Sequence, residues 1–477
     1  DGNMTVLHLT NTDVKNGKAV KVRFRGAANS DDILDFQVLL SPGDVWTGAV
    51  TAGADGVAQL TTADGTCTVP TLTKGVAQSF DTRRLQGSLS AADKAAGTRE
   101  GYVEIFNMAD IPDAAVYGAL KIAKSDLFTA IKHVNGTAPC TASVIDTALL
   151  ATAYTEPTAA AAGFATPTTG LMGDWYIINV AKTTTFSGGA TALTAVSAPG
   201  VAGRGNFVLF PQLSASVGAP DAYTADPALR TVTGNASTTK DAAGVVGPLP
   251  TGYTLPVVEA AYYDLPDLST PSLAPTKTPI TALGAAIQAE LLTQQLAVKS
   301  ITNQYANDAS ITAKTDWVFS MPTRRYAAAV DYKAPGLTPG SILPAAVYNA
   351  GNATHFAAAN TKMFGDKLCV SGITTSPWDR EERRPATPDD VVISPSEPGA
   401  PTLFCGETSV LSFNNGGATT TAVLSANVAV KDIDVGYTNG WLKLNTPGAV
   451  APNGLPVLGQ AFVSAFNPAV SEGTAGN

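Results

Sequence analysis

The chain is short of charge. Lysine, arginine, aspartate and glutamate make up 14% of its 477 residues, against roughly a quarter in an average soluble domain. Basic residues are the scarcer sign, 30 against 39, for a formal charge of −9 and a pI near 4.9. That balance excludes the basic footprint by which proteins hold nucleic acid. Histidine occurs only as His8, His133 and His355, far apart and without spaced carboxylate partners, which argues against most metalloenzymes. No uncharged apolar run reaches the length of about 18 residues that a membrane span needs. Disorder throughout is also excluded, because 45% of residues are hydrophobic, enough to bury a large core.

Familiar catalytic patterns are missing as well. There is no His-Glu-x-x-His, no Gly-x-Ser-x-Gly followed by an acid and a histidine, no Gly-x-Gly-x-x-Gly opening a helix, and no Walker A loop. Glycosidases hold two carboxylates about 5–9.5 Å apart, and Glu100 with Glu104 or Glu381 with Glu382 are candidates. The second pair lies in the mixed-charge run Arg380 to Arg384, which fits a solvated, salt-bridged face better than a buried acid–base site. The expectation is a protein that is not an enzyme.

Four cysteines are present, Cys67, Cys140, Cys369 and Cys405, with loop-like or edge-like flanks and no Cys-x-x-Cys spacing. Two disulfides are expected. Cys67–Cys140 and Cys369–Cys405 are the natural pairs, one in each half, with three connectivities open to four cysteines. Pairing would also remove a Cys–His nucleophile. The chain opens Asp1-Gly2-Asn3, without methionine, as a processed mature N-terminus does. With abundant Ala, Thr, Gly and Ser, the composition fits an extracellular protein of a bacterial cell surface.

Most of what is there reads as strand. Val20, Val22 and Phe24 alternate with Lys21, Arg23 and Arg25, the period of a half-buried antiparallel strand with its charges in water. Ile33 to Leu40, Tyr102 to Phe106, Trp175 to Val180, Asp316 to Met321, Ala422 to Val435 and Trp441 to Leu444 are further strands, and turn residues such as Ser41-Pro42-Gly43-Asp44 separate them. The pattern predicts a mainly β fold, one or more antiparallel β-sandwich domains with a few inserted helices and long loops. Residues 1–165 form an N-terminal sandwich with a helical insert over Asp113 to Lys132. Residues 166–477 form a larger β-rich domain with one long helix near 281–305, where Leu283, Ile287, Leu291, Val298 and Ile301 make a stripe. Gly218 to Leu255, Asp264 to Pro279 and Pro385 to Pro401 read as long loops.

Calcium is the one metal the sequence brings forward, because it takes oxygen ligands from loop aspartates. The acidic groups are Asp31, Asp32 and Asp35, then Asp264 and Asp267, then Asp389 and Asp390. Each group alone reads as turn formers or helix caps. Asn-x-Ser/Thr triplets stand at Asn3, Asn135, Asn235 and Asn352, and Asn3 follows an acidic residue, as in the extended sequon of some bacterial glycosylation systems. For a glycan, Trp46, Trp378 and Trp441 are the exposed-aromatic candidates. Trp378, in the loop-like Ser376-Pro377-Trp378-Asp379, leads them.

Val6-Leu7-His8-Leu9-Thr10-Asn11-Thr12 leads to Val20-Lys21-Val22-Arg23-Phe24-Arg25 and Leu40-Ser41-Pro42-Gly43-Asp44-Val45-Trp46. Tyr263-Asp264-Leu265-Pro266-Asp267, Thr315-Asp316-Trp317 through Arg324-Arg325, and Gly454 to Gly459 follow. This order resembles a group of secreted proteobacterial cell-surface proteins. The resemblance implies a location and no catalytic site. Its most distinctive positions, Asp316, Trp317, Arg324 and Arg325, read as a strand with a core Trp and an Arg pair that meets a carboxylate. The expected function is a structural subunit that assembles with itself into a surface layer, sheath or filament. The Asp1 to Val6 arm and the Glu472 to Asn477 tail are the pieces to watch for strand exchange. The alternative is a secreted adhesin or glycan binder, with the cell envelope or a surface glycan as partner.

Overall fold

The computed structural model describes residues 2–114 (except 83, 84 and 87), 125–149, 156–193, 292–326, 354–384 and 402–466, with short strand segments elsewhere. The fold is mainly β, as the alternation predicts. In the N-terminal half, one sheet has six strands in the order Thr184–Gly189, Leu171–Asn179, Asn3–Asn11, Val45–Ala52, Ala58–Thr61 and Gln78–Ser79. The other has four, Cys67–Val69, Asp32–Leu40, Gly17–Gly26 and Gly101–Ile111. Leu7, Leu9, Trp46 and Leu60 of the first meet Val20, Val22, Phe36 and Val38 of the second in one buried cluster. Trp46 is fully buried, its ring 5.3 Å from that of Phe36. It is a core residue, not an exposed platform.

Asn3–Asn11 lies inside the six-stranded sheet, antiparallel to Leu171–Asn179 on one side and to Val45–Ala52 on the other. Residues 3–6 are therefore not a free arm, and strands beyond residue 165 complete this sheet.

The helical insert falls later than its periodicity predicts. Asp126–Ile131, Ala142–Leu149 and Glu156–Ala161 are its described helices, while Val116–Tyr117 and Leu120–Lys121 pair as a short hairpin. Ser125 starts the first helix by accepting the Phe128 N–H at 3.2 Å, the work of an N-cap side chain. Leu127, Ile131, Ile145 and Leu149 then pack on Ala19, Leu39, Met108 and Ile111, on the second face of the four-stranded sheet. The disulfide Cys67–Cys140 joins this sheet to the helical layer.

Strand Gly17–Gly26 is consequently buried on both faces, all ten residues of it. Lys18, Lys21, Arg23 and Arg25 lie out of water, contrary to the half-buried reading. Neighbouring strands supply the compensation that such burial requires. Lys18 Nζ donates to Asp110 at 2.8 Å, Lys21 pairs with Asp35, and Arg25 lies 3.7 Å from Asp32 and 3.5 Å from Glu104. The Arg23 guanidinium sits over the Phe106 ring, 5.4 Å from its centroid.

The C-terminal half repeats the two-sheet plan. Ser300–Ala306, Asn439–Asn445, Lys367–Asp379 and Thr361–Phe364 form one sheet, which Thr402–Cys405 joins by pairing with Lys367–Asp379. Val430–Ile433, Thr408–Phe413, Lys314–Ser320 and Leu458–Ser464 form the other. Tyr305, Val370, Ile373 and Leu442 of the first pack on Trp317, Phe319, Leu411 and Phe413 of the second. The register of Lys367–Asp379 breaks between Val370 and Ile373, around Gly372 at φ 86°. Ile373 still pairs with Thr402 beyond the break, and from Thr374 onward the strand pairs with Asn439–Asn445. Cys369 and Cys405 stand opposite each other in the register and form the second disulfide.

The long helix near 281–305 does not extend to its predicted end. Residues 292–296 are helical, but Ala297–Val298 and Ser300–Ala306 are strands. Residues 281–291 lie outside the described residues. So do the three long loops, apart from the short segments Thr231–Val232, Thr238–Lys240, Val246–Pro248 and Tyr263–Asp264. No described helix is long and apolar enough to cross a membrane.

The two halves meet through named contacts. Glu407 N and Thr408 N donate to the Ala27 carbonyl at 2.8 and 3.1 Å. Asn29 brackets Asp366 and Leu368, donating to one carbonyl and accepting the other's N–H. The Glu100 carboxylate accepts the N–H groups of Asn427 and Val428 at 2.7 and 3.0 Å. Trp175 and Phe186 pack on Phe462 at 5.9 and 5.3 Å.

Candidate functional site

Asp32 and Asp35 sit against the buried Arg25 and Lys21, and Asp31 is buried in the adjoining turn. Asp264 lies in a short strand, and Asp267, Asp389 and Asp390 lie outside the described residues. Among the described residues no group of three or more His, Cys, Asp or Glu side chains is placed to hold a metal ion. Asn3 Nδ2, the atom a glycan would occupy, donates to the Leu424 carbonyl at 2.8 Å, and its Oδ1 accepts from Asn179.

The candidate carboxylate pairs have structural partners. Glu100 binds the Asn427–Val428 backbone, Glu104 faces Arg25, and Glu381 pairs with Arg383 at 3.2 Å. Ser41, His133 and Asp44 come together unforeseen, since 92 residues separate Ser41 from His133. Ser41 Oγ lies 3.1 Å and Asp44 Oδ2 3.6 Å from the same ring atom, His133 Nδ1. A proton relay needs the two on opposite ring nitrogens, so this cluster is a structural knot. His355 is buried and bonded to the Gly454 carbonyl, and His8 pairs with Asp174 at 2.8 Å.

Trp317 is in the core, and the Arg pair meets a carboxylate. Arg324 Nε lies 2.6 Å from Glu407 Oε2, Arg325 donates its main-chain N–H to Glu407 Oε1 at 3.4 Å, and Arg325 Nη1 donates to the Ser30 carbonyl at 3.4 Å. Asp316 accepts from Ser412 Oγ and from the Val423 and Leu424 N–H groups. Burial pushes the Glu407 carboxyl up, and Arg324 and Arg325 oppose that shift.

Two tryptophans form a solvent-facing arrangement with recognition chemistry. Trp378 lies at the end of a strand, not in a loop. Register sets Gln304 opposite Trp441 and Trp441 opposite Trp378, so the three share the outer face of their sheet. The indoles stack with centroids 5.3 Å apart and planes 6° from parallel, and the Arg384 guanidinium lies 4.8 Å over Trp378. Trp441 also lines a groove of about 620 Å³, with Thr302, Asn303, Gln304, Tyr305 and Arg380 among the other lining residues. The Tyr305 hydroxyl donates to the Trp378 carbonyl at 3.2 Å, and burial pushes its pKa up to about 12.

Asp379 holds the loop that carries the arginines. It accepts the N–H groups of Glu381 and Arg383 at 2.9 and 2.8 Å and Arg383 Nε at 2.5 Å. Burial works against its ionisation, but the bonds from Arg383 and Glu381 prevail and keep its carboxyl below the ordinary value. The groove's described lining is one indole, the Tyr305 phenol, the Arg380 guanidinium and the polar side chains Thr302, Asn303 and Gln304, with Ala306, Gly440 and Val463. No protein-family model, curated protein or solved structure matches this chain.

Proposed function

We propose that the protein is a non-enzymatic structural subunit of an extracellular bacterial surface, assembling with copies of itself into a layer, sheath or filament. The observation that carries this reading is the outer face of the six-stranded sheet. Val6 stands between Tyr176 and Ala49, and Thr10 between Met172 and Val45. Met172, Tyr176 and Val45 are exposed, and none of these six side chains is buried. His8 and Asp174 form a hydrogen-bonded polar pair in the middle of these strands. A broad face with so little charge is characteristic of an interaction surface, and sheets pack face to face about 10 Å apart. A second copy is the occupant assigned to it. The two disulfides fit an oxidising compartment, and the resemblance to secreted surface proteins points the same way.

Electron microscopy of purified protein, with calcium and with a chelator, tests the reading. Sheets, tubes or filaments are expected, and chelator sensitivity would add calcium as a switch. A Val6→Lys/Tyr176→Lys double variant should stay dispersed with an unchanged circular dichroism spectrum. A native chain that remains monomeric at high concentration in every condition would overturn the proposal.

A further inference from the structure

We infer that the groove between Trp441 and strand Ser300–Ala306 is a saccharide-binding site, and that Arg380 directs it toward acidic, uronate-bearing glycans. The argument begins with the ligand's two chemistries. A pyranose ring has an apolar C–H face, which an indole buries well, and a rim of hydroxyls, which need partners that both donate and accept. The groove has both on one wall. Trp441 gives the flat apolar surface, and the exposed Thr302 and Gln304 stand beside it. Asn303 Oδ1 already accepts the Gln304 N–H at 2.8 Å, which leaves its Nδ2 to donate.

Arg380 decides the ligand's charge. It is exposed and makes no ion pair among the described residues, and Asp308 is within its electrostatic reach but not its hydrogen-bond reach. A guanidinium so placed matches a planar carboxylate, which it can bind through two parallel hydrogen bonds. Lys443, opposite Thr302 in the register, adds a second exposed cation on the same face.

The site is also pre-organised. Trp441 is fixed by the Trp378 and Arg384 stack, and the loop carrying both arginines is pinned by Asp379. Rigid elements reduce the ordering cost of binding. The groove of about 620 Å³ lies within the usual range for small-ligand sites. Such a site would tie a surface subunit to envelope polysaccharide, beyond its contacts with other copies.

The test uses the full chain and two probes, tetragalacturonate and neutral cellotetraose, followed by calorimetry and tryptophan fluorescence. Tetragalacturonate should bind saturably and change the fluorescence. Trp441→Ala should weaken it roughly tenfold or more. Because Trp441 belongs to a stack, Gln304→Ala and Arg380→Ala, at exposed positions, are the controls for folding. Gln304→Ala should weaken binding, and Arg380→Ala should abolish the preference for the acidic probe. Binding of neither probe overturns the inference, as does binding unchanged in all three variants. Binding of cellotetraose alone overturns the role given to Arg380. The assembly-deficient Val6→Lys/Tyr176→Lys protein should bind as the native chain does, so that loss of assembly and loss of glycan binding are separate results.

Discussion

Two carboxylates show how much a single residue can hold. Glu407 is fully buried and serves the two halves at once, pairing with Arg324 while its backbone N–H bonds to Ala27. Glu407→Ala leaves a buried guanidinium without its carboxylate, which should cost about 3–5 kcal/mol in denaturant unfolding. Asp379 acts in the opposite sense with pH. Its folded-state pKa lies below the ordinary 3.8. Its contribution is therefore fully present above pH 3.8 and is lost as pH falls through the lowered folded value. Hydrogen exchange of the Glu381 and Arg383 amides should report that loss, and Asp379→Asn should remove the pH dependence. The Arg pair and its carboxylate were legible in the sequence, because a strand with a core Trp followed by two arginines demands a counter-charge. The burial of Lys21, Arg23 and Arg25 was not legible. Alternation reports polarity, and only the register brings Asp32, Asp35 and Glu104 to neutralise them.

At the scale of elements, the cysteine arithmetic was sound and the helix periodicity was not. Ile301 and Tyr305 are four residues apart, a spacing that satisfies a helix face and a strand face alike. Ser300–Ala306 pairs along its length with Asn439–Asn445, and that ladder decides the state. The candidate site was half legible. Trp378 could be chosen from the sequence, but Trp441, 63 positions later, becomes its partner only through antiparallel pairing. The outer edge of Ser300–Ala306 is blunted by side chains. Trp317 Nε1 donates to the Gln304 carbonyl at 3.1 Å, and Thr315 Oγ1 bonds both the N–H and the carbonyl of Ala306. Strand addition at that edge is disfavoured, so the proposed self-association is assigned to the six-stranded face instead. Each disulfide closes a loop within its own half, over separations of 73 and 36 residues. The chain-entropy relation gives about 4 kcal/mol for each. Thermal scans of Cys67→Ala/Cys140→Ala and Cys369→Ala/Cys405→Ala should therefore show large, comparable losses.

Among the described residues, two sandwiches with separate buried clusters meet through polar clamps and an aromatic contact. The molecule's sheet composition followed from alternation and turn residues, whereas the way the halves interlock depends on contacts such as Asn3 with Leu424 and Glu100 with Asn427, hundreds of positions apart. The position of Asn3–Asn11 has a mechanical consequence. This strand is held along both sides by antiparallel ladders, nine residue pairs on one side and six on the other. A pull along its axis must shear both ladders together, whereas a peripheral strand peels away one bond at a time. Under such a pull the strand acts as a shear joint, with its strength set by hydrogen-bond geometry rather than by the covalent cross-links elsewhere in the chain.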